Sequence, residues 1–263
     1  MSETTTSADG TRIAYDRHGD GTGPAVIFVG GAMQFRGFDP QTVAMAGLLA
    51  SHGFTVINYD RRGRGETEGA TSFTLADELD DIAALIQAAG GEAALFGSSS
   101  GGAISLAAAA AGLPITKLAL WEVPLPEENG TSGAEDLDGL RERIAGDDGD
   151  AVIEYFMKDM PSEWLDGARH SPGWPVMVSM GPSLAIDSEA LAASQAGPRA
   201  ELWGGITQPT IAIVGSETVP IMPPAADAIV EALPNATRVT VQGANHSWEQ
   251  AAMVQALARF LAD

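Results

Sequence analysis

The 263-residue chain contains no cysteine, which excludes disulfide staples and thiolate metal sites. Basic residues are scarce: 14 Lys and Arg stand against 35 Asp and Glu, for a formal charge of -21. Such a balance repels phosphate backbones and anionic lipid surfaces, so neither nucleic acid nor membrane is an expected partner. No uninterrupted apolar run is long enough to span a bilayer. The first ten residues are polar, with neither a basic start nor an apolar centre, so they do not read as a secretion signal. The expected setting is a soluble, cytoplasmic protein. There is no Gly-x-Gly-x-x-Gly loop and no metal-ligand cluster, so no cofactor is expected. Histidine is limited to His18, His52, His170 and His246, which leaves few candidates for any general base.

Hydrophobic residues make up 45% and charged residues 19% of the chain, which excludes disorder as a description of the whole. Its length suits one large core, with room for an insertion. Apolar runs at residues 25–29, 93–96, 118–121 and 211–214 predict strands, that at 25–29 buried on both faces, and residues 55–59 and 237–241 are read as two further strands. Residues 11–16 alternate polar and apolar ahead of a turn at 20–24. Between the runs, residues 43–51, 75–89, 103–111, 225–233 and 247–261 predict helices, several closed by glycine. Alternation of this kind predicts an α/β fold with a mostly parallel central sheet and helices on both faces.

The strand pattern stops between residues 126 and 205. That stretch predicts a helical cap inserted into a core formed by residues 1–125 and 206–263, with 127–139 as its mobile loop. Trp164, Trp174, Trp203 and the methionines of the cap are candidates for lining an apolar pocket, or for packing the cap onto the sheet.

One short motif carries the chemistry. Gly97-Ser98-Ser99-Ser100-Gly101 follows an apolar strand and precedes an alanine-rich helix. With 31 glycines in the chain, Gly-x-Ser-x-Gly arises easily by chance, so its placement between strand and helix is what matters. Strand, sharp turn and helix around a central serine form a nucleophile elbow, with glycines where a Cβ would collide. A frame shifted to Ser100 would put Ser98 where a near-glycine is needed, so Ser99 is the better nucleophile.

Over nearly its whole length the chain resembles the α/β-hydrolase family. Besides the elbow, Asp60-Arg61-Arg62-Gly63-Arg64-Gly65-Glu66-Thr67 is similar to that family's Asp-x-Arg-Gly-x-Gly-x-Ser/Thr loop, and Asn245-His246-Ser247 stands where the family carries its histidine. The resemblance implies a serine hydrolase with Ser99 as nucleophile and His246 as base, and a scaffold role for Asp60 and its arginines. A serine hydroxyl needs such a base at neutral pH. The family most often places its acid in a Gly-x-x-Asp turn after the penultimate strand; here Gly215-Ser216-Glu217-Thr218 has threonine in that place. Glu122, directly after the strand at 118–121, is the first choice for the acid, and Glu217 the second. The oxyanion donors implied are the N–H of Ser100 and one from Gly30-Gly31-Ala32-Met33, with Ala32 first and Gly31 second.

Trp121-Glu122-Val123-Pro124-Leu125 also resembles the segment that carries the glutamate of fungal zearalenone-type lactonases. The expected activity is cleavage of a carboxylic ester or lactone of moderate size and apolar character. Met33, Trp164 and Trp174 are the expected pocket residues. A macrolactone hydrolase, a C–C bond hydrolase and a non-enzymatic ligand-binding relative of the same fold are the alternatives. Aspartate-nucleophile chemistries, dehalogenation and epoxide opening, are opposed by Ser99.

Overall fold

The computed structural model describes residues 2–67 and 74–262, so the first and last residues of the expected core lie outside it. The chain begins with β1 (Glu3–Thr6), β2 (Arg12–His18), β3 (Ala25–Val29), α1 (Pro40–Ser51), β4 (Thr55–Tyr59) and α2 (Leu75–Ala88). It continues with β5 (Ala93–Ser98), α3 (Ser100–Ala110) and β6 (Ile115–Trp121). A purely helical stretch follows: α4 (Ser132–Ala145), α5 (Gly149–Phe156), α6 (Ser162–Arg169), α7 (Trp174–Ser179), a 3-10 turn at Gly181–Ser183, α8 (Leu184–Ala193) and α9 (Arg199–Leu202). Then come β7 (Thr210–Glu217), α10 (Met222–Ala232), β8 (Ala236–Ala244), β9 (Ser247–Trp248) and α11 (Gln250–Ala262).

The strands form one sheet in the order β1-β2-β4-β3-β5-β6-β7-β8-β9. Pairings from β4 through β8 are parallel; β1 with β2, β2 with β4, and β8 with β9 are antiparallel. Alternate residues of each central strand enter opposite faces. Ile27, Val29, Leu95, Leu118, Leu120 and Val214 pack with Ile82, Ile104 and Ile229 of α2, α3 and α10. Their neighbours Val26, Phe28, Phe96, Trp121 and Ile213 pack with Met45 and Leu49 of α1 and Met253 and Leu257 of α11. Burial on both faces is why these strands appear in sequence as continuous apolar runs rather than alternating ones.

Several boundaries differ from the sequence-based expectation. Strand β1 is a polar, mostly exposed edge strand and lacks the apolar signature. Helix α1 starts at Pro40, three residues early, because the Asp39 side chain accepts from the Thr42 N–H and proline suits the first turn. The expected loop at 127–139 turns helical at Ser132, where α4 buries Leu137 and Leu140. The last helix starts at Gln250, because Ser247 and Trp248 pair back onto Ala244 and Gly243.

Candidate active site

Ser99 stands between β5 and α3 at φ 55° and ψ −128°, a backbone conformation that costs a non-glycine residue about 1–3 kcal/mol. Its N–H donates to the Trp121 carbonyl at 2.8 Å, and its own carbonyl accepts from Gly102 at 2.9 Å. The tightness around the turn explains the glycine frame. A Cβ on Gly97 would sit 2.6 Å from the Gly102 Cα and from Ser105 Oγ, and one on Gly101 would sit 2.2 Å from the Val29 carbonyl oxygen. Gly102 is just as constrained, with Val123 Cγ2 at 2.3 Å from its added Cβ. The Ser99 side chain makes no capping bond to α3. Ser100 differs: its hydroxyl donates to Asp187 at 2.6 Å and is fully engaged.

Glu122 is the first residue after β6, held at φ 41°. It is 2% exposed. One carboxylate oxygen accepts the Gly215 N–H at 2.8 Å, and the other lies 2.6 Å from His246 Nδ1. Burial pushes this carboxyl up, but the His246 contact, then the nearby Thr218 hydroxyl and the Gly215 N–H, hold it below the ordinary glutamate range. Glu217, the second choice for the acid, is exposed and makes no side-chain contact with His246 among the described residues. The structure therefore brings Glu122, not Glu217, to the histidine.

His246 owes its position to a two-residue hairpin. Ala244 pairs with Ser247, and the two residues between them, Asn245 and His246, have φ 50° and 65°. Paired positive φ values suit the right-handed twist of the flanking strands. Below the hairpin, Trp121, Trp248 and Phe96 make edge-to-face contacts at 5.5 and 5.8 Å. Above it, the Trp164 ring lies 6.3 Å from the imidazole at an interplanar angle of 25°. The other histidines stand elsewhere: His18 ends β2, His52 caps α1, and His170 caps α6 with its Nδ1 2.6 Å from the Asp166 carbonyl.

The loop after β3 approaches the elbow closely. A Cβ on Gly31 would lie 2.9 Å from the Ser99 Cβ, so only glycine allows the approach. The N–H of Gly31, the second choice for an oxyanion donor, donates to Gln34 Oε1 at 2.5 Å and is already engaged. The N–H groups of Ala32 and Ser100 have no acceptor among the described residues. Asp60 behaves as scaffold, accepting from the Arg36 and Glu66 N–H groups at 2.9 and 2.8 Å and pairing with the Arg36 guanidinium.

Ser99, His246, Ala32, Met33 and Trp164 line one cavity of about 920 Å³, with Tyr155, Phe156, Met160, Leu191 and Ile221 among its other walls. Of its charged members, Asp136 and Asp159 both pair with Lys158, and Asp39 accepts from Gln34 and Thr42; most of the other walls are apolar. Trp174 does not line the cavity. Its indole N–H turns to Asp150 at 2.6 Å, which corrects its assignment as a pocket residue. Trp203 is likewise packed in the core, 4% exposed. Sequence reading missed Gln34 and Asp187, since neither belongs to a spacing pattern.

The sequence pattern described as the alpha/beta hydrolase family matches residues 13–260. The chain is 32% identical to an alpha/beta hydrolase from Sphaerobacter thermophilus, over 98% of this chain and 100% of that one, with a TM-score of 0.83. A thermophilic esterase from Thermogutta terrifontis shares 22% identity, over 100% and 98% of the chains, with a TM-score of 0.73. An enol-lactonase from Burkholderia xenovorans shares 19%, over 98% and 100%, with a TM-score of 0.68. No curated protein matches the chain.

Proposed function

The chain belongs to the alpha/beta hydrolase family, and on that premise we propose that it hydrolyses a carboxylic ester or lactone through an acyl-enzyme on Ser99. The observation that carries this reading is the 2.6 Å contact between Glu122 and His246 Nδ1, on the cavity that Ser99 also lines. With Nδ1 tied to a buried carboxylate, the imidazole presents Nε2 as the proton acceptor.

In the proposed reaction His246 Nε2 takes the Ser99 hydroxyl proton as Oγ attacks the substrate carbonyl carbon. The tetrahedral oxyanion is met by the N–H groups of Ala32 and Ser100, which the fold leaves without other acceptors. Collapse breaks the C–O bond, and the leaving alkoxide takes the proton from His246. A water molecule then repeats the sequence on the acyl-enzyme, His246 acting first as base and then as acid, and releases the carboxylic acid and free Ser99. Glu122 stays ionised throughout and stabilises the imidazolium.

The helices between β6 and β7 are proposed as a cap that shapes substrate choice. A largely apolar cavity of about 920 Å³ supports a bulky, uncharged substrate, a macrolactone among them. The test is a panel of p-nitrophenyl esters and macrolactones, combined with labelling by a fluorophosphonate and mapping of the adduct by mass spectrometry. The expected adduct is on Ser99. An adduct on Ser98 or Ser100, or no turnover of any ester or lactone, refutes the reading.

A further inference from the structure

Asp187, on α8 in the helical stretch outside the sheet, is 0% exposed and accepts hydrogen bonds from three donors. Oδ1 accepts from Arg61 Nη1 at 2.7 Å and from the Ser100 hydroxyl at 2.6 Å; Oδ2 accepts from Arg64 Nη2 at 2.6 Å. A fully buried carboxylate survives only with such compensation. What distinguishes this one is where its partners lead. Arg64 Nη1 donates to the Gly31 carbonyl at 2.6 Å, and Arg61 Nη1 reaches the Gly30 carbonyl at 3.2 Å. Ser100 follows the nucleophile directly. The arginines are secured from behind, Arg64 by Ser183 at 2.9 Å and Arg61 by Glu78 at 3.0 Å.

The Gly31 carbonyl and the Ala32 N–H belong to one planar trans peptide, so their directions are opposite and locked together. A guanidinium that grips the carbonyl therefore sets the direction of the N–H. Its charge also polarises the amide and strengthens that N–H as a donor. On the other side, the bond from Ser100 to the same carboxylate anchors the residue that supplies the second N–H. We propose that Asp187 is a positioning residue for the oxyanion site, setting the Ala32 donor through Arg64 and the Ser100 donor through the Ser100 hydroxyl. The inference rests on the serine-hydrolase reading. It means that a residue of the inserted helices takes part in ordering the catalytic loops, in addition to any role of those helices in substrate choice.

The experiment compares wild-type protein, Asp187→Asn and Ser100→Ala, the last of which keeps the backbone N–H. Active sites are counted by fluorophosphonate titration, so that unfolded molecules do not enter the rates. The readouts are kcat and KM for p-nitrophenyl butyrate and the inhibition constant of phenylboronic acid, whose serine adduct mimics the tetrahedral oxyanion. In Asp187→Asn, kcat per titrated site should fall about 10- to 100-fold, as for a misplaced catalytic group. KM should stay nearly unchanged, and phenylboronic acid should weaken by a factor similar to the loss in kcat. Ser100→Ala should show a smaller loss of the same kind. A carboxylate serving only as counter-charge to the arginines would lower thermal stability and leave kcat per site and boronate inhibition unchanged, which overturns the inference. If Asp187→Asn does not fold, Ser100→Ala decides by the same criterion. A wild-type protein not labelled at Ser99 removes the underlying reading and this inference with it, whereas labelling at Ser99 with unaltered variants defeats this inference alone.

Discussion

The Gly215 N–H donates to the Glu122 carboxylate at 2.8 Å, so the turn after β7 holds an acid that comes from the end of β6. The turn in which such a fold usually carries its own aspartate thus serves here as a clamp. Gly215 also leaves room for the carboxylate, since a Cβ there would approach Glu122 Oε1 to 3.0 Å. Glu122→Gln should lower kcat by about four orders of magnitude, the cost of presenting the wrong imidazole tautomer. Glu217→Gln, on an exposed side chain, should change kcat less than about threefold. Steady-state kinetics of both variants on one ester check this ranking, and the reverse order moves the acid to Glu217.

The same clamp sets a pH dependence of stability. The folded-state pKa of Glu122 lies below its ordinary value of 4.5, so folding favours its ionised form. The resulting stabilisation is complete above the unfolded value and is lost as pH falls through the lower folded value. Melting temperatures of wild type and Glu122→Gln, measured from pH 7 to pH 3, should differ most at neutral pH, and the difference should begin to shrink as pH falls below about 4.5. A difference that stays constant down to pH 3 contradicts the assignment.

Ser99 pays for its position in backbone strain. Ser99→Ala should abolish fluorophosphonate labelling and lower kcat by about six orders of magnitude, the loss measured for removal of a nucleophilic serine. Ser99→Gly should be equally inactive yet more stable than Ser99→Ala by about 1 kcal/mol, because glycine tolerates positive φ. Chemical denaturation of the two variants measures the difference, and equal midpoints would mean that the elbow is unstrained.

Of the two tryptophans expected to shape the pocket, only Trp164 lines it. Trp164→Ala should alter the ratio of kcat/KM for bulky over acetate esters, while Trp174→Ala should leave the ratio unchanged and lower stability. Equal losses on every ester with Trp164→Ala would assign that ring to packing.

Two glycines make opposite demands. Gly101→Ala drives a methyl to 2.2 Å from a backbone oxygen, so the variant should lose several kcal/mol of stability or fail to fold. Gly47, in the interior of α1, has open space around it, so Gly47→Ala should stabilise the protein by about 0.5–1 kcal/mol. Differential scanning calorimetry of both variants, each against wild type, tests this contrast.

Local chemistry alone determined much of this protein. Apolar runs announced the buried strands β3, β5, β6 and β7, because a strand covered on both faces has no polar side to display. The glycine frame around Ser99 and the placement of His246 after the last long strand were legible because they are local in the chain. Tertiary structure decided what depends on direction across strands. Whether Glu122 or Glu217 meets His246 follows from the parallel register of β6, β7 and β8 and from the positive φ values of Glu122, Asn245 and His246. The engagement of the Gly31 N–H by Gln34, the turning of Trp174 to Asp150 and the burial of Asp187 among Arg61, Arg64 and Ser100 are of the same kind. Periodicity reports which face of an element is buried; it holds no record of which distant polar group completes a hydrogen bond, because that is fixed only when the elements pack.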